Sequence, residues 1–173
     1  MAFFQMDYLE QYNIIISKLK DGNEEKFSFT VEDKFFSYYE NTIIKGGNIA
    51  VELNVLKKQD IFILNLNLEG YVVLTCDRCL DEYDENISFK DEILIKLGDE
   101  TNFDTDEDFI ILDRKTIKIN ISRFIYESVE FALPLAHIHP KDKNGKSTCN
   151  PIMIEKLKKY IINSESEDEE ENF

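Results

Sequence analysis

Residues 49–70 read IAVELNVLKKQDIFILNLNLEG. In the first half Ile49, Val51, Leu53 and Val55 take every second position, and in the second half Phe62, Leu64, Leu66 and Leu68 do the same against Asn65, Asn67 and Glu69. A period of two places each apolar set on one face of a strand. The polar residues 57–60 between them are few enough for a turn, so the stretch predicts an antiparallel hairpin with one buried and one wet face.

The pattern extends to both sides. Residues 26–31 put Phe27, Phe29 and Val31 together, and residues 87–97 set Ile87, Phe89, Ile93, Ile95 and Leu97 against Ser88, Lys90, Glu92 and Lys96. Helical signals occur in three places. Residues 32–40 (EDKFFSYYE) suggest a short helix. Residues 120–132 carry Ile121, Phe124, Ile125, Ser128, Val129 and Ala132 at i, i+3, i+4 spacing. Residues 150–162 open with Asn150 as N-cap and Pro151 at the first helical position, with Met153, Leu157 and Ile161 as a buried edge. Strands early, helices late and no internal repeat predict a single α+β domain built on a predominantly antiparallel sheet. That domain is expected over residues 1–163, followed by a disordered acidic tail over residues 164–173 (SESEDEEENF).

The chain has 173 residues and is 43% apolar, enough for one core. No run reaches the roughly 18–20 apolar residues of a membrane helix, and the start (MAFFQMDYLEQYN) has no basic leader before an apolar stretch, so a cytoplasmic protein is expected. The net charge is −15, which opposes broad attraction to nucleic acid and would steer a basic partner inward. Residues 98–108 and 164–173 each hold six acids and no base. Between Lys141 and Lys159 the sign inverts, with six lysines against Asp142 and Glu155.

Chemistry-bearing residues are sparse. Cys76 and Cys79 form a Cys-x-x-Cys pair, whose spacing lets two thiolates face one metal. His137, His139 and Cys149 complete the histidine and cysteine inventory. A Cys₃His zinc site from Cys76, Cys79, His139 and Cys149 would tie the strand region to the last helix, with His137 as the fallback ligand. Two simply buried thiols are the competing reading. A redox pair fits less well, because no βαβ pattern surrounds it and the nearby acids would raise the thiol pKa. Asp104, Asp106 and Asp108 alternate as in a calcium loop, but Phe109 stands where glycine is needed and Lys115 where glutamate is needed, so a solvated acidic loop is expected. Arg123 and Glu127 read as a helix-face ion pair. No catalytic constellation is present, and no enzyme activity is expected. Lys141, Lys143 and Lys146, with Arg78 between the two cysteines, are the candidate RNA- or partner-binding residues.

The segments GYVVLTCDRCLDEYDENI, INISRFIYESVEFALPLAHIHP and CNPIMIEKLKKY, with YNIIISKLKDGNEEKFSFTVEDKFFSYYE before them, resemble the YceD-like family in a Bacteroidetes-type version. These are the large-subunit ribosomal RNA accumulation proteins. The resemblance spans about residues 8–162. It implies a non-enzymatic role in large ribosomal subunit biogenesis, with the subunit precursor (ribosomal protein, rRNA or both) as partner and neither membrane nor small-molecule substrate. It also places the family's cysteine motif on Cys76 and Cys79, and its later His…Cys element on His139 and Cys149. An acidic binding chaperone for a basic ribosomal protein is the alternative.

Overall fold

The computed structural model describes residues 8–103 and 109–167, with side chains up to residue 160. In chain order the strands are β1 (Asn13–Ile14), β2 (Glu24–Glu32), β3 (Gly46–Lys58), β4 (Ile61–Thr75), β5 (Glu82–Gly98), β6 (Ile110–Asp113) and β7 (Ile119–Asn120). The helices are α1 (Asp33–Phe36), α2 (Ser122–Ala132) and α3 (Pro151–Glu167). A five-stranded sheet runs β2-β3-β4-β5-β6, and β1 pairs with β7 in a small ladder of its own.

The expected hairpin is the centre of that sheet. Ile61 faces Lys58 across a two-residue turn in which Gln59 adopts φ +53°. Its twist suits the right-handed twist of the flanking strands. From there β3 and β4 stay in register back to Gly46 and Val73, and β4 and β5 from Ile61 and Lys96 to Thr75 and Glu82. One face is apolar and closed: Ile49, Val51, Leu53, Val55, Phe62, Leu64 and Leu68 are almost fully buried. Each such side chain contributes about 1.5–3 kcal/mol on leaving water. Covering that face are α2, through Phe124, Ile125 and Val129, and an aromatic group in which the Tyr12 and Phe35 rings meet edge-on at 5.2 Å. The α+β architecture with a mainly antiparallel sheet is the one the sequence predicts.

Several details differ from expectation. The outermost pair, β5 with β6, is parallel. The helix expected over residues 32–40 shortens to α1, because Tyr38 and Tyr39 donate their N–H groups to the carbonyls of Phe35 and Phe36 three residues back, tightening the turn out of α geometry. Asp91 faces the covered side of β5, opposite Leu66, and its carboxylate accepts a hydrogen bond from the fully buried Ser128 hydroxyl at 2.8 Å. Ser128 therefore interrupts the apolar stripe of α2 for a reason: it supplies the donor that a half-buried carboxylate needs. Asp104, Asp106 and Asp108 lie outside the described residues.

α3 is capped as expected, the Asn150 side chain accepting from the Ile152 N–H at 3.1 Å. Its burial is not as expected. Met153 and Ile154 pack on the core, whereas Leu157 is 39% exposed, so the helix leaves the body after its first turn. The expected buried edge through Leu157 does not form, and the Ile161 side chain lies outside the described residues. The helix continues to Glu167, past the boundary expected at residue 163, and residues 168–173 of the acidic tail are likewise not described.

Candidate metal centre and basic loop

The turn between β4 and β5 carries both cysteines of the Cys-x-x-Cys pair. The Leu80 N–H donates to the Cys76 carbonyl and the Cys76 N–H to the Asp81 carbonyl, both at 2.9 Å, closing a compact knuckle. In the knuckle the backbone amides of Arg78 and Cys79 favour the Cys76 thiolate, and that of Asp81 the Cys79 thiolate. Leu80 takes φ +63°, a left-handed conformation that glycine adopts freely and leucine does not. It is 66% exposed and borders an open cavity of about 280 Å³ shared with Ile43, Lys45, Asp77 and His137.

Replacing Leu80 with glycine is therefore expected to leave the melting temperature unchanged or slightly higher. Relief of about 1–2 kcal/mol of left-handed strain offsets the added freedom of the unfolded chain. Leu80→Val, β-branched, should lower stability by about 1–2 kcal/mol. Thermal melts of the two variants check both signs.

Two further segments converge on the knuckle. Leu133, held extended ahead of Pro134, ends α2 and releases the segment that follows. The segment docks by a reciprocal pair: the Asp77 N–H donates to the His137 carbonyl at 2.7 Å, and the His137 N–H donates to the Asp77 carboxylate at 2.8 Å. The two histidines, two residues apart, turn to different partners, which regular strand alternation would not give. The His137 ring nitrogen lies 3.8 Å from Asp77, while the His139 ring packs on Tyr83 with its Nδ1 3.4 Å from the Cys79 sulfur. From the other side, Cys149 arrives just before α3, its sulfur 3.9 Å from that of Cys76. The Asn150 side chain donates to the Asp81 carboxylate at 3.0 Å and fastens the helix start to the knuckle.

The four ligand atoms of Cys76, Cys79, His139 and Cys149 all lie within 4.8 Å of one another. Zinc–sulfur bonds of about 2.3 Å and zinc–nitrogen bonds of about 2.0 Å at tetrahedral angles imply edges of about 3.8 Å between sulfurs and about 3.5 Å from sulfur to nitrogen. The observed 3.9 and 3.4 Å sit close to both values. All three cysteines are buried. Burial opposes the Cys76 thiolate, but the His139 side chain and the amides of His139, Arg78 and Cys79 outweigh it and bring that thiol down to about 6. For Cys79 burial prevails, against the amides of Asp81 and Asn150, and the thiol is pushed up. The expectation that nearby acids would raise both thiols is corrected for Cys76, where the His139 side chain, aided by backbone amides, decides the direction. The set thus fits a tetrahedral thiophilic ion on geometry, on donor chemistry and on the N–H groups supplied to its sulfurs. His137, the fallback ligand, turns to Asp77 and stands outside the cluster.

A family profile described as large ribosomal RNA subunit accumulation protein YceD matches residues 64–173, more than half of the chain. The chain belongs to the YceD family. The match takes in most of β4, the knuckle, β5, α2 and α3, and hence all four residues of the cluster. Comparison with curated proteins and with solved structures gave no match. The family's description ties the fold to accumulation of the large ribosomal RNA subunit. Among the described residues, no helix is long and apolar enough to cross a membrane.

The other candidate residues surround the cluster. Arg78 lies on the knuckle, and Lys141, Lys143 and Lys146 lie on the loop between His139 and Cys149, all four exposed. Arg123 and Glu127 form the expected i,i+4 pair at 2.7 Å on the exposed side of α2. Sequence reasoning missed the Asp77–His137 latch, which joins residues 60 apart and has no local signature.

Proposed function

We propose that this protein is a non-enzymatic, cytoplasmic factor in large ribosomal subunit biogenesis, supporting accumulation or processing of large-subunit rRNA. One zinc ion held by Cys76, Cys79, His139 and Cys149 fixes its docking surface. Family membership supports the ribosomal role. The observation that carries the clamp is the convergence of four ligand atoms from three separate segments within 4.8 Å. Four protein donors fill a tetrahedron and leave no position for substrate or water, so the ion is structural. The tyrosines most strongly displaced in proton affinity, Tyr12 and Tyr83, are buried side chains of the core raised chiefly by that burial. They are packing groups, which agrees with a binding role.

The net charge of −15 favours a second reading, in which the chain masks a basic ribosomal protein before delivery. Sedimentation of extracts carrying the tagged chain separates the two. Comigration with large-subunit precursors, together with loss of mature large-subunit rRNA on depletion, is the expected result. Recovery at the top of the gradient with one free ribosomal protein would select the chaperone, and recovery with neither would refute both.

A further inference from the structure

We infer that the loop between the last two clamp residues, with Arg78 beside it, contacts the phosphate backbone of RNA. This rests on the ribosomal reading above and assigns that role to a particular surface.

The loop is a formed hairpin. Lys141 bridges to Ser147, the Asp142 N–H donates to the Lys146 carbonyl at 2.8 Å, and the Gly145 N–H to the Asp142 carbonyl at 2.9 Å. The Thr148 hydroxyl closes its base on the Pro140 carbonyl at 2.6 Å. Both ends run into the cluster, through His139 and Cys149. A loop anchored this way presents its side chains with little ordering left to do on binding.

Position then sorts the charges. Asp142, the loop's one acid, turns its carboxylate inward to accept from the N–H groups of Asn144 at 2.9 Å and Lys146 at 2.8 Å. On the knuckle, Asp77 is engaged by the His137 N–H and Asp81 by the Asn150 side chain. All three carboxylates thus have internal donors. Arg78, Lys141, Lys143 and Lys146 are exposed, and among the described residues none forms an ion pair. Four cations against three acids and the −1 of a zinc ion on three thiolates leave no formal excess, so the point is orientation: the acids accept from internal donors and the cations remain free.

A polyanion is the partner that rewards this arrangement. An exposed lysine paired with a single carboxylate gains about 0–1 kcal/mol. Against RNA, each phosphate neutralised also releases condensed counterions. The acids elsewhere on the chain do not cancel the effect at contact, because the Debye length is about 8 Å at physiological salt.

The test is fluorescence anisotropy with a labelled single-stranded RNA and an RNA duplex, titrated between about 50 and 200 mM salt. The triple variant Lys141→Gln, Lys143→Gln, Lys146→Gln should retain its zinc and melting temperature while the slope of log K against log salt falls by about two to three. Arg78→Gln should remove close to one more. A control triple on the open sheet face, Lys26→Gln, Lys58→Gln, Lys90→Gln, should leave the slope as it is. Equal slopes for the two triples would overturn the inference. So would wild-type protein that ignores both RNAs yet still comigrates with large-subunit precursors, which leaves the ribosomal reading intact and moves the contact to protein. Failure to comigrate at all removes both.

Discussion

Cys76→Ser, purified without a histidine tag, is expected to hold no zinc and to melt at least about 10 °C below the wild type, which should carry one zinc per chain. Closed sites of this kind release on the order of 10 kcal/mol on binding at neutral pH. Part of that offsets the ordering of three segments otherwise joined only by the Asp77–His137 pair, the Asn150–Asp81 hydrogen bond and the packing of His139 on Tyr83, and the remainder appears as stability. At about 2–4 °C per kcal/mol for a domain of this size, a net loss of a few kcal/mol gives the predicted drop. Chelation of the wild type should reproduce it. Cys149→Ser should do the same, since its sulfur lies 3.9 Å from that of Cys76. His137→Ala should keep the metal, because that ring faces Asp77. Hydrogen exchange locates the effect: amides of residues 137–150 should lose protection in Cys76→Ser while those of β3 and β4 keep theirs. Metal-free wild-type protein melting at the same temperature as Cys76→Ser would leave three thiols and an imidazole that merely pack together.

The unequal legibility of this chain has physical reasons. The alternation in β2 to β5 could be read because one face of a long antiparallel sheet is packed and the other is wet, so every second residue carries the signal. The clamp residues could be read because cysteine and histidine are so few that elimination nearly suffices. What joins β1 to β7 is two residues a side, and a two-residue strand has no period. The parallel pairing of β6 depends on where the chain returns after residue 98, which no local pattern records. The length of α1 turned on two i→i−3 hydrogen bonds, and the truncated buried edge of α3 on a helix that leaves the core after one turn. The Cys76 thiol was misjudged for a related reason: acids are visible in a sequence, whereas the His139 ring and the amide N–H groups that favour the thiolate meet it only once the chain has folded. Leu80 is a local conflict of the same kind, an exposed apolar side chain in a glycine conformation beside the cluster.

Gly70→Ala is expected to be the most damaging single-methyl change in the sheet. Gly70 lies within β4 between Ile49 of β3 and Ile87 of β5, with φ +158°. A Cβ there would collide with the Asn48 carbonyl oxygen and lie 2.7 Å from the Ile49 Cα. Both are backbone atoms of a paired strand, so no side-chain rotation relieves the contact, and β3 must move relative to β4. That movement pulls against Ile49, Val51 and Leu68, which are packed without free space on the covered face. Overpacking and backbone strain cost about 1–3 kcal/mol each, so a loss of about 2–5 kcal/mol and a fall of about 10 °C in melting temperature are expected. Gly145→Ala supplies the contrast. Gly145 has φ +77°, yet its Cβ would meet nothing within 4 Å, so only the local conformational cost of about 1–2 kcal/mol applies. The two alanines should therefore differ in what they disturb: Gly145→Ala the basic loop alone, Gly70→Ala the sheet, with exchange protection lost across β3 and β4. Equal melting temperatures for the two variants would show that the close approach of β3 and β4 relaxes freely, and that the sheet is more compliant than its packing implies.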